Sequence, residues 1–216
     1  MLPTPDLSHL TKKDLEEVYE PAEDTFLLLD ALEVDYDYLK GSKPSICLEI
    51  GSGSGCVTSF LGNIIGSTAY FCTDINPHAC RCTQRTGKQN NVNIQVIHGS
   101  LASPLELRLA SKVDVLLFNP PYVPTSDDEV GHAQSDGKIE GAWAGGSGGM
   151  QITNVMLSKV KNLLSPSGRF YLVALKENNV PGIIKLMREM YTLTGEIVLQ
   201  RHAGREHLFI LRFSHL

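Results

Sequence analysis

Apolar runs alternate with helix-type repeats along most of this chain. The first 17 residues are polar and predict a flexible N-terminal segment, and residues 18–216 predict one folded domain. The predicted strands cover residues 46–50, 69–73, 94–98, 113–118, 170–175, 196–200 and 207–213. The predicted helices cover residues 23–32, 56–64, 77–88, 151–164 and 181–190.

This alternation predicts an α/β fold, with a mostly parallel sheet and helices on both of its faces. The last two strands are joined by the short turn at Ala203 and Gly204, so we expect them to be antiparallel. Residues 123–149 are glycine-rich and lack periodicity, and loops of that length are usually functional. We interpret His132, within this loop, as a solvated side chain.

A glycine-rich loop follows the first predicted strand. Gly51, Gly53 and Gly55 allow a sharp turn and a close approach of the main chain to a ligand. The spacing differs from that of dinucleotide sites, and Glu49 would repel a pyrophosphate but attract an ammonium group. Asp74 ends the next strand, where it can accept hydrogen bonds from both hydroxyls of a ribose. The pattern favours S-adenosylmethionine over NAD.

The tetrapeptide Asn119-Pro120-Pro121-Tyr122 follows the apolar strand at residues 113–118. The side-chain oxygen of Asn119 and the carbonyl of Pro120 can each accept one N–H of a planar NH2 group. The two prolines fix the turn, and Tyr122 offers an aromatic wall for a flat group. We therefore expect this turn to hold an NH2 group in line with a methyl donor, with Asn119, Pro120 and Tyr122 as catalytic residues.

Parallel strands end along one edge of a sheet, where ligands bind. Glu49, Asp74, Ser100 and Asn119 all fall at predicted strand ends, so the donor site and the acceptor site should meet there. An amide nitrogen is a poor nucleophile, and holding it in a near-attack geometry can lower the barrier by about 7–11 kcal/mol. No strong base is needed, because a sulfonium is already a potent methyl donor.

Composition narrows the range of functions. The formal net charge is −5 and no Lys/Arg block occurs, so no strong nucleic-acid footprint is predicted. The chain has no apolar run of membrane-spanning length and no signal-peptide core, which predicts a soluble intracellular protein. The five cysteines are interpreted as unpaired thiols, since Cys80-x-Cys82 lacks a second ligand pair. The histidines show no ligand spacing, and no metal site is predicted.

These motifs resemble those of class I methyltransferases, which have a Rossmann-like fold with a C-terminal antiparallel strand. More closely, the chain resembles the eukaryotic and archaeal branch of the HemK family of release-factor glutamine methyltransferases over residues 18–213. The resemblance is carried by residues 18–25 (VYEPAEDT), 72–77 (CTDINP), 118–122 (FNPPY), 140–146 (EGAWAGG) and 176–179 (KENN). It implies methyl transfer to the side-chain amide nitrogen of the glutamine in the GGQ loop of a translation release factor.

The resemblance also assigns residues to the cofactor and the substrate. The family's cofactor contacts fall here on Thr25, Glu49, Gly51, Asp74, Leu101 and Asn119, with Gly53 in the same glycine loop. Ser100 stands where the family usually has an aspartate that bonds the adenine amine, and it brings an acceptor oxygen without a charge. The expected glutamine slot is formed by Asn119, Pro120, Pro121, Tyr122 and Trp143. Two alternatives stay open: Trp143 as a buried anchor of its loop, and Thr25 as a helix N-cap.

The resemblance further implies a heterodimer with a small zinc-binding activator protein. In the usual strand order of this fold the third strand lies at the sheet edge, and here residues 94–97 are mostly apolar and uncharged. An unguarded edge can pair with another chain, so we expect the activator to dock there by strand addition. The expected location is cytoplasmic, with the nucleus as an alternative second location, and without membrane attachment.

Other substrates and roles fit the same motifs. A histone lysine and the N6 amine of adenine in DNA are reported substrates in this branch. An adenine-N6 methyltransferase needs a basic cradle for base extrusion, which the net charge of −5 does not favour. A non-catalytic scaffold is a further alternative, and the intact Asn119-Pro120-Pro121-Tyr122 motif argues against it.

Overall fold

The computed structural model describes residues 2–126 and 139–216. The helices are α1 (Lys12–Glu17), α2 (Glu23–Val34), α3 (Tyr36–Gly41), α4 (Cys56–Ile65), α5 (Pro77–Gln89), α6 (Gln151–Leu163) and α7 (Val180–Tyr191). The strands are β1 (Ile46–Ile50), β2 (Ala69–Asp74), β3 (Ile94–His98), β4 (Val113–Phe118), β5 (Leu164–Leu175), β6 (Leu193–Ala203) and β7 (Glu206–His215). Single 3-10 turns cover Ile139–Ala142, Ser147–Gly149 and Lys176–Asn178.

The described strands form one seven-stranded sheet in the order β3-β2-β1-β4-β5-β7-β6. Strands β1 to β5 pair with one another in parallel, and β7 lies between β5 and β6 and is antiparallel to both. The predicted fold class is therefore confirmed, including the antiparallel C-terminal pair and the position of β3 at an edge.

Helices cover both faces of the sheet because successive strand residues point to opposite sides. On one face the side chain of Cys47 packs with apolar residues of α2 and α4, such as Leu28 and Phe60. On the other face, the neighbouring Leu48 packs in a core that includes Leu157 of α6. Two buried layers of this kind hold the strand ends rigidly in place, and the candidate site is built on those ends.

The N-terminal segment, which the sequence predicts to be flexible, forms hydrogen bonds to the domain. Asp14 caps α1 reciprocally with Thr11 and receives two hydrogen bonds from Arg85 of α5. Nδ2 of Asn90 donates to the main-chain oxygen of Asp6 at 2.9 Å. These partners lie more than 70 positions away, so local polarity gave no sign of them.

Strand β5 begins earlier than the predicted strand at residues 170–175. Leu164 pairs with Val113 and Arg169 pairs with Val115, so the pairing is irregular between these two positions. The sequence predicts a turn at residues 165–168 (SPSG), between α6 and this strand, and these residues instead form the irregular stretch of β5. Gly168 is required there, since a Cβ would lie 2.5 Å from the Val113 carbonyl oxygen.

Two further observations bear on the class of protein. No helix of the described residues is long and apolar enough to cross a membrane. The cysteines are free thiols, and residues 2–126 and 139–216 contain no cluster of His, Cys, Asp and Glu side chains arranged for a metal ion. His132 lies outside the described residues.

Candidate active site

A cleft opens at the carboxyl ends of the parallel strands, where the sequence places the candidate residues. It encloses about 1000 Å³, including space that is open to solvent. Its walls come from the segment before α2, the glycine loop, the ends of β2, β3 and β4, and the 3-10 turn Ile139–Ala142. The predicted residues that line it are Thr25, Glu49, Gly51, Gly53, Asp74, Ser100, Leu101, Asn119 and Pro121.

The glycine loop has the backbone conformation that its sequence predicts. Gly51, Gly53 and Gly55 have φ angles of 68°, 53° and 80°, in the left-handed region that glycine adopts without strain. A Cβ on Gly55 would lie 2.7 Å from the Cα atom of Thr83 in α5, so this glycine lets the loop lie against the helix. A Cβ on Gly51 or Gly53 would have no described atom within 4 Å, because both glycines face the open cleft.

Glu49 is a buried acid at the end of β1, with 4% of its surface exposed. Its Oε2 accepts hydrogen bonds from the main-chain nitrogen of Thr58, at 3.0 Å, and from the Thr58 hydroxyl. Burial raises the pKa of Glu49 to about 8, although the bonds from Thr58 oppose this shift. The carboxyl group therefore lacks a cationic partner in the described structure, and a cationic ligand group would stabilise its charge.

Asp74 ends β2 and joins two loops of the cleft. Its Oδ2 accepts the Gly53 N–H at 2.9 Å, and its Oδ1 accepts the Asn76 N–H at 2.8 Å. Burial raises the pKa of Asp74, and the two main-chain bonds oppose the shift. Each carboxylate oxygen can accept more than one hydrogen bond, so both can still accept bonds from a ligand in the cleft.

Ser100 and Leu101 line the cleft beyond the end of β3. Ser100 is exposed, and the neighbouring Gly99 donates its N–H to the Asp74 carbonyl at 2.9 Å. Leu101 has a φ of 48°, which is unusual for a residue with a side chain. The structure thus places both predicted residues on the same wall as Asp74.

The side-chain amide of Asn119 has a hydrogen-bond partner at its nitrogen but none, among the described residues, at its oxygen. Its Nδ2 donates to Oδ2 of Asp24 at 2.9 Å. Its Oδ1 is buried and has no hydrogen-bond partner among the described residues. A buried acceptor without a partner is costly, and here it belongs to a residue that lines the cleft. A ligand with an N–H group would satisfy it.

Of the other three residues of the tetrapeptide, one lines the cleft, whereas the sequence predicts all three at the substrate site. Pro121 lines the cleft, whereas Pro120 is buried and is not among its lining residues. Tyr122 is also buried, and it lines a second cavity, which Asp24 lines as well. The Tyr122 hydroxyl donates to Oδ2 of Asp24 at 2.9 Å. Tyr122 therefore supports Asp24 and does not form the expected wall of the main cleft.

The structure bears on the two alternatives left open by the sequence. Trp143 is partly buried, packs with Ala144 and Ile152 in a small cluster, and is not among the residues that line the cleft. Thr25 is not a helix cap, because α2 begins at Glu23 and its N-cap is Ala22. Thr25 is instead buried in the first turn and lines the cleft.

Asp24 is the residue that sequence reasoning missed. It is 4% exposed, and it receives hydrogen bonds from Tyr19, Thr25, Asn119 and Tyr122. Asn119 and Tyr122 are 95 and 98 positions away in the chain, so no local pattern links them to Asp24. The only signal was its place in the segment VYEPAEDT, one of the five that carry the family resemblance.

Comparison with known proteins agrees with this geometry. The family described as "Methyltransferase small domain" matches residues 23–135. A human protein named "Methyltransferase HEMK2" is 50% identical over 212 residues, covering 98% of this chain and 96% of that protein. A Schizosaccharomyces pombe protein named "eRF1 methyltransferase catalytic subunit mtq2" is 41% identical over 223 residues, covering 98% of this chain and 95% of that protein.

A solved structure supports the fold. A chain of the E. cuniculi Mtq2-Trm112 complex superimposes with a TM-score of 0.67 at 24% identity, covering 92% of this chain and 99% of that chain. The high identity to the human and fission-yeast proteins extends over nearly the whole chain. The chain therefore belongs to the HemK family of S-adenosylmethionine-dependent methyltransferases.

Proposed function

We propose that this protein methylates the side-chain amide nitrogen of the glutamine in the GGQ loop of a translation release factor. The observation that carries the proposal is the unpartnered, buried Oδ1 of Asn119 on the cleft that also contains Glu49 and Asp74. The name of the fission-yeast relative, an eRF1 methyltransferase catalytic subunit, supports the choice of substrate.

The residues of the cleft fit S-adenosylmethionine. Asp74 would accept hydrogen bonds from the ribose hydroxyls, and Ser100 would accept a bond from the adenine amine. Glu49 would balance the ammonium group of the methionine moiety, since its buried carboxyl lacks a cation. Gly51 and Gly53 leave open the space that side chains would fill. When bound, S-adenosylmethionine supplies a methyl group on a positively charged sulfur.

The chain's own part in the reaction is to position the amide. Oδ1 of Asn119 would accept one N–H of the substrate amide. The main-chain carbonyl of Pro120 would accept the other: Pro120 does not itself line the cleft, but it lies between Asn119 and Pro121, which do. These bonds favour the pyramidal nitrogen whose lone pair attacks, and they strengthen as positive charge builds on that nitrogen. The product nitrogen then sheds a proton readily, so the mechanism needs no strongly basic side chain.

We propose further that the protein is the catalytic subunit of a heterodimer with a small zinc-binding activator. The related E. cuniculi protein is described as a Mtq2-Trm112 complex. Among the described strands, β3 and β6 are the two sheet edges. Strand β6 has an irregular register and carries Glu196 and Arg201, features that protect an edge from pairing. Strand β3 (IQVIH) has no Lys, Arg, Asp or Glu, which favours it as the docking edge.

A histone lysine is a second candidate substrate, favoured by the second cavity beside Asp24. Glu23, Asp24 and Glu206 line this cavity together with Tyr19 and Tyr122. Carboxylates attract a cationic side chain and repel a phosphate, so this feature favours lysine over nucleic acid. A release factor and a histone as substrates correspond to a cytoplasmic protein with a nuclear fraction.

The test is methyl transfer by the reconstituted heterodimer. The complex is incubated with labelled S-adenosylmethionine and, in parallel, with release factor, nucleosomes and DNA, and mass spectrometry locates the label. We expect the label on the GGQ glutamine of the release factor. Asn119→Ala should abolish turnover while the protein still binds cofactor, and Asn154→Ala, at an exposed position on α6, should not change it. Label on DNA alone would contradict the proposal.

A further inference from the structure

Asp24 is surrounded by hydrogen-bond donors on both of its oxygens. Oδ1 accepts from the Thr25 main-chain nitrogen at 2.7 Å and from the Tyr19 hydroxyl at 3.2 Å. Oδ2 accepts from Asn119 Nδ2 and from the Tyr122 hydroxyl, both at 2.9 Å. Asp24 lies in the first turn of α2, where the helix dipole stabilises a negative charge.

We infer that Asp24 is a positioning residue that fixes the orientation of the Asn119 amide and thereby makes the site select a substrate NH2 group over a carboxylate. The inference deepens the proposed function and rests on it. Asp24 acts through Asn119.

The partners of the Asn119 side chain fix its orientation. An asparagine amide can adopt two orientations that exchange its oxygen and its nitrogen, and its partners decide between them. Burial and the charge of Asp24 raise the pKa values of Tyr19 and Tyr122, so both hydroxyls remain donors. With these donors on it, the carboxylate acts as an acceptor and only the NH2 of Asn119 can face it. Oδ1 must then face the cleft.

A carboxylate is the only group of this size that satisfies the donors on both sides of position 24. The Thr25 N–H is a fixed main-chain donor and requires an oxygen at one end of the residue at position 24. Asn119 and Tyr122 require an oxygen at the other end. An asparagine at position 24 has one oxygen and one NH2 group. Its NH2 group must therefore face one of these donors, and two donors cannot form a hydrogen bond with each other.

A reversed Asn119 amide would change the substrate group that the site accepts. If the NH2 of an introduced amide faces Asn119, the Asn119 amide turns over and presents its own NH2 to the cleft. That group cannot accept an N–H from glutamine, but it can donate to the carboxylate of a glutamate. Loss of Asp24 should therefore change the choice of substrate group as well as the rate, whereas a residue that only supported the fold would affect both substrates equally.

The first experiment compares Asp24→Asn with Asp30→Asn in the heterodimer. Asp30 lies on the same helix but does not line the cleft. Its carboxylate forms an ion pair with Arg201 at 2.6 Å. We expect Asp24→Asn to lower kcat by about 100-fold or more, as for loss of a preorganised catalytic hydrogen bond, with cofactor affinity within about twofold of wild type. We expect Asp30→Asn to retain wild-type kcat. Thermal unfolding and cofactor titration identify any variant that has not folded.

The same proteins are then titrated with two release-factor GGQ-loop peptides, one with the natural glutamine and one with glutamate in its place. Wild type should prefer the glutamine peptide. In Asp24→Asn this preference should fall by about tenfold or more, because the hydrogen-bonding character of the site is reversed. An unchanged preference together with wild-type kcat would overturn the inference.

A reciprocal exchange provides the second test. Asn119→Asp alone places two carboxylates against each other and should be inactive. In the double variant Asp24→Asn/Asn119→Asp, the new amide donates to the new carboxylate, whose other oxygen again offers an acceptor to the cleft. We expect its kcat to exceed that of either single variant by about tenfold, within the range for directly contacting residues. A folded, cofactor-binding double variant no faster than the singles would overturn the inference.

The controls separate this inference from the proposed function. If wild type fails to methylate the release factor, the proposed function is wrong. If wild type methylates it and Asp24→Asn does so at the same rate and with the same preference, only the role of Asp24 is wrong.

Discussion

A Cβ on Gly149 would lie 1.9 Å from the main-chain oxygen of Tyr122. The glycine-rich end of the long loop, at Ser147–Gly149, thus packs directly on the Asn-Pro-Pro-Tyr turn. Asn178 joins both segments, with Nδ2 donating to the Tyr122 oxygen at 3.3 Å and to the Gly148 oxygen at 3.1 Å. Val123 also pairs with Ala144 in an isolated parallel bridge. Residues much later in the chain therefore pack against the turn that carries Asn119. Tyr122 and Asn178, for example, are 56 positions apart.

We predict that Gly149→Ala will impair both stability and turnover. The new methyl group meets main-chain atoms that cannot move aside, and φ is 69°, so we expect a loss of about 2–4 kcal/mol of unfolding free energy. Gly148→Ala is the matched control: its φ is 61°, but nothing lies within 4 Å of the new atom. Only the backbone strain of about 1–2 kcal/mol remains there. Denaturant unfolding and methylation rates, measured on both variants, should separate the two effects; equal losses would argue against the contact.

We predict that Asp74→Ala weakens cofactor binding by about 1.5–3 kcal/mol, the range for a hydrogen bond to a charged group. Asp74 lines the cleft and holds the N–H groups of Gly53 and Asn76. Isothermal titration calorimetry on the purified heterodimer measures the change, with Asp37→Ala, at an exposed position on α3, as the control. Unchanged affinity would remove Asp74 from the cofactor site.

We predict that cofactor binding releases a proton from Glu49 near pH 6.5. Burial raises the pKa of this carboxyl to about 8, so it is mostly neutral in the free protein at that pH. A bound ammonium group favours the ionised form, and affinity should rise with pH from 6 towards 8. Above about pH 8 the ligand's own amine loses its charge and the gain ends. Titrations in two buffers of different ionisation enthalpy give the number of protons released.

Glu49→Gln is the control for that measurement, because an amide does not titrate. The difference between wild type and variant isolates Glu49 from Asp74, whose pKa is also raised by burial and which both proteins contain. The stability of the protein changes with pH in the opposite direction to its affinity for the cofactor. A raised pKa in the folded state means that the stability of the cofactor-free protein falls as pH rises from about 4.5 to about 8. The same proton release in both proteins would show that Glu49 does not contact the ammonium group.

The strand ends could be predicted because they depend on local features. The runs at residues 46–50 and 113–118 are mostly apolar; Glu49 is the next-to-last residue of the first and Asn119 follows the second, and parallel pairing brings these ends to one edge. Asp24 could not be assigned in this way, since two of its partners, Asn119 and Tyr122, come from the turn after β4, more than 90 positions away. Trp143 stays a predicted wall residue: it packs locally with Ala144 and Ile152 and is not among the residues that line the cleft. The role of Asp24 depends on contacts between distant segments, which residue patterns do not encode.

The edge strand β3 provides the last prediction, which concerns the partner. Val96 is half-buried at this edge, and the strand pairs only with β2 among the described strands. A lysine at an edge discourages the addition of another strand, so Val96→Lys should break the complex with the proposed activator subunit. Cofactor binding by any protein that remains soluble should be unaffected, because Val96 does not line the cleft.

Ile197→Lys tests the opposite edge with the same change of residue. Ile197 is 45% exposed on β6, and the β6–β7 register is irregular next to it. This variant should co-purify with the activator like wild type. We also expect the chain without its activator to be poorly soluble, since an unpaired apolar edge promotes aggregation, and co-expression should rescue it. Co-purification of the Val96→Lys variant, or a monodisperse and fully active chain without any activator, would show that β3 is not the docking edge.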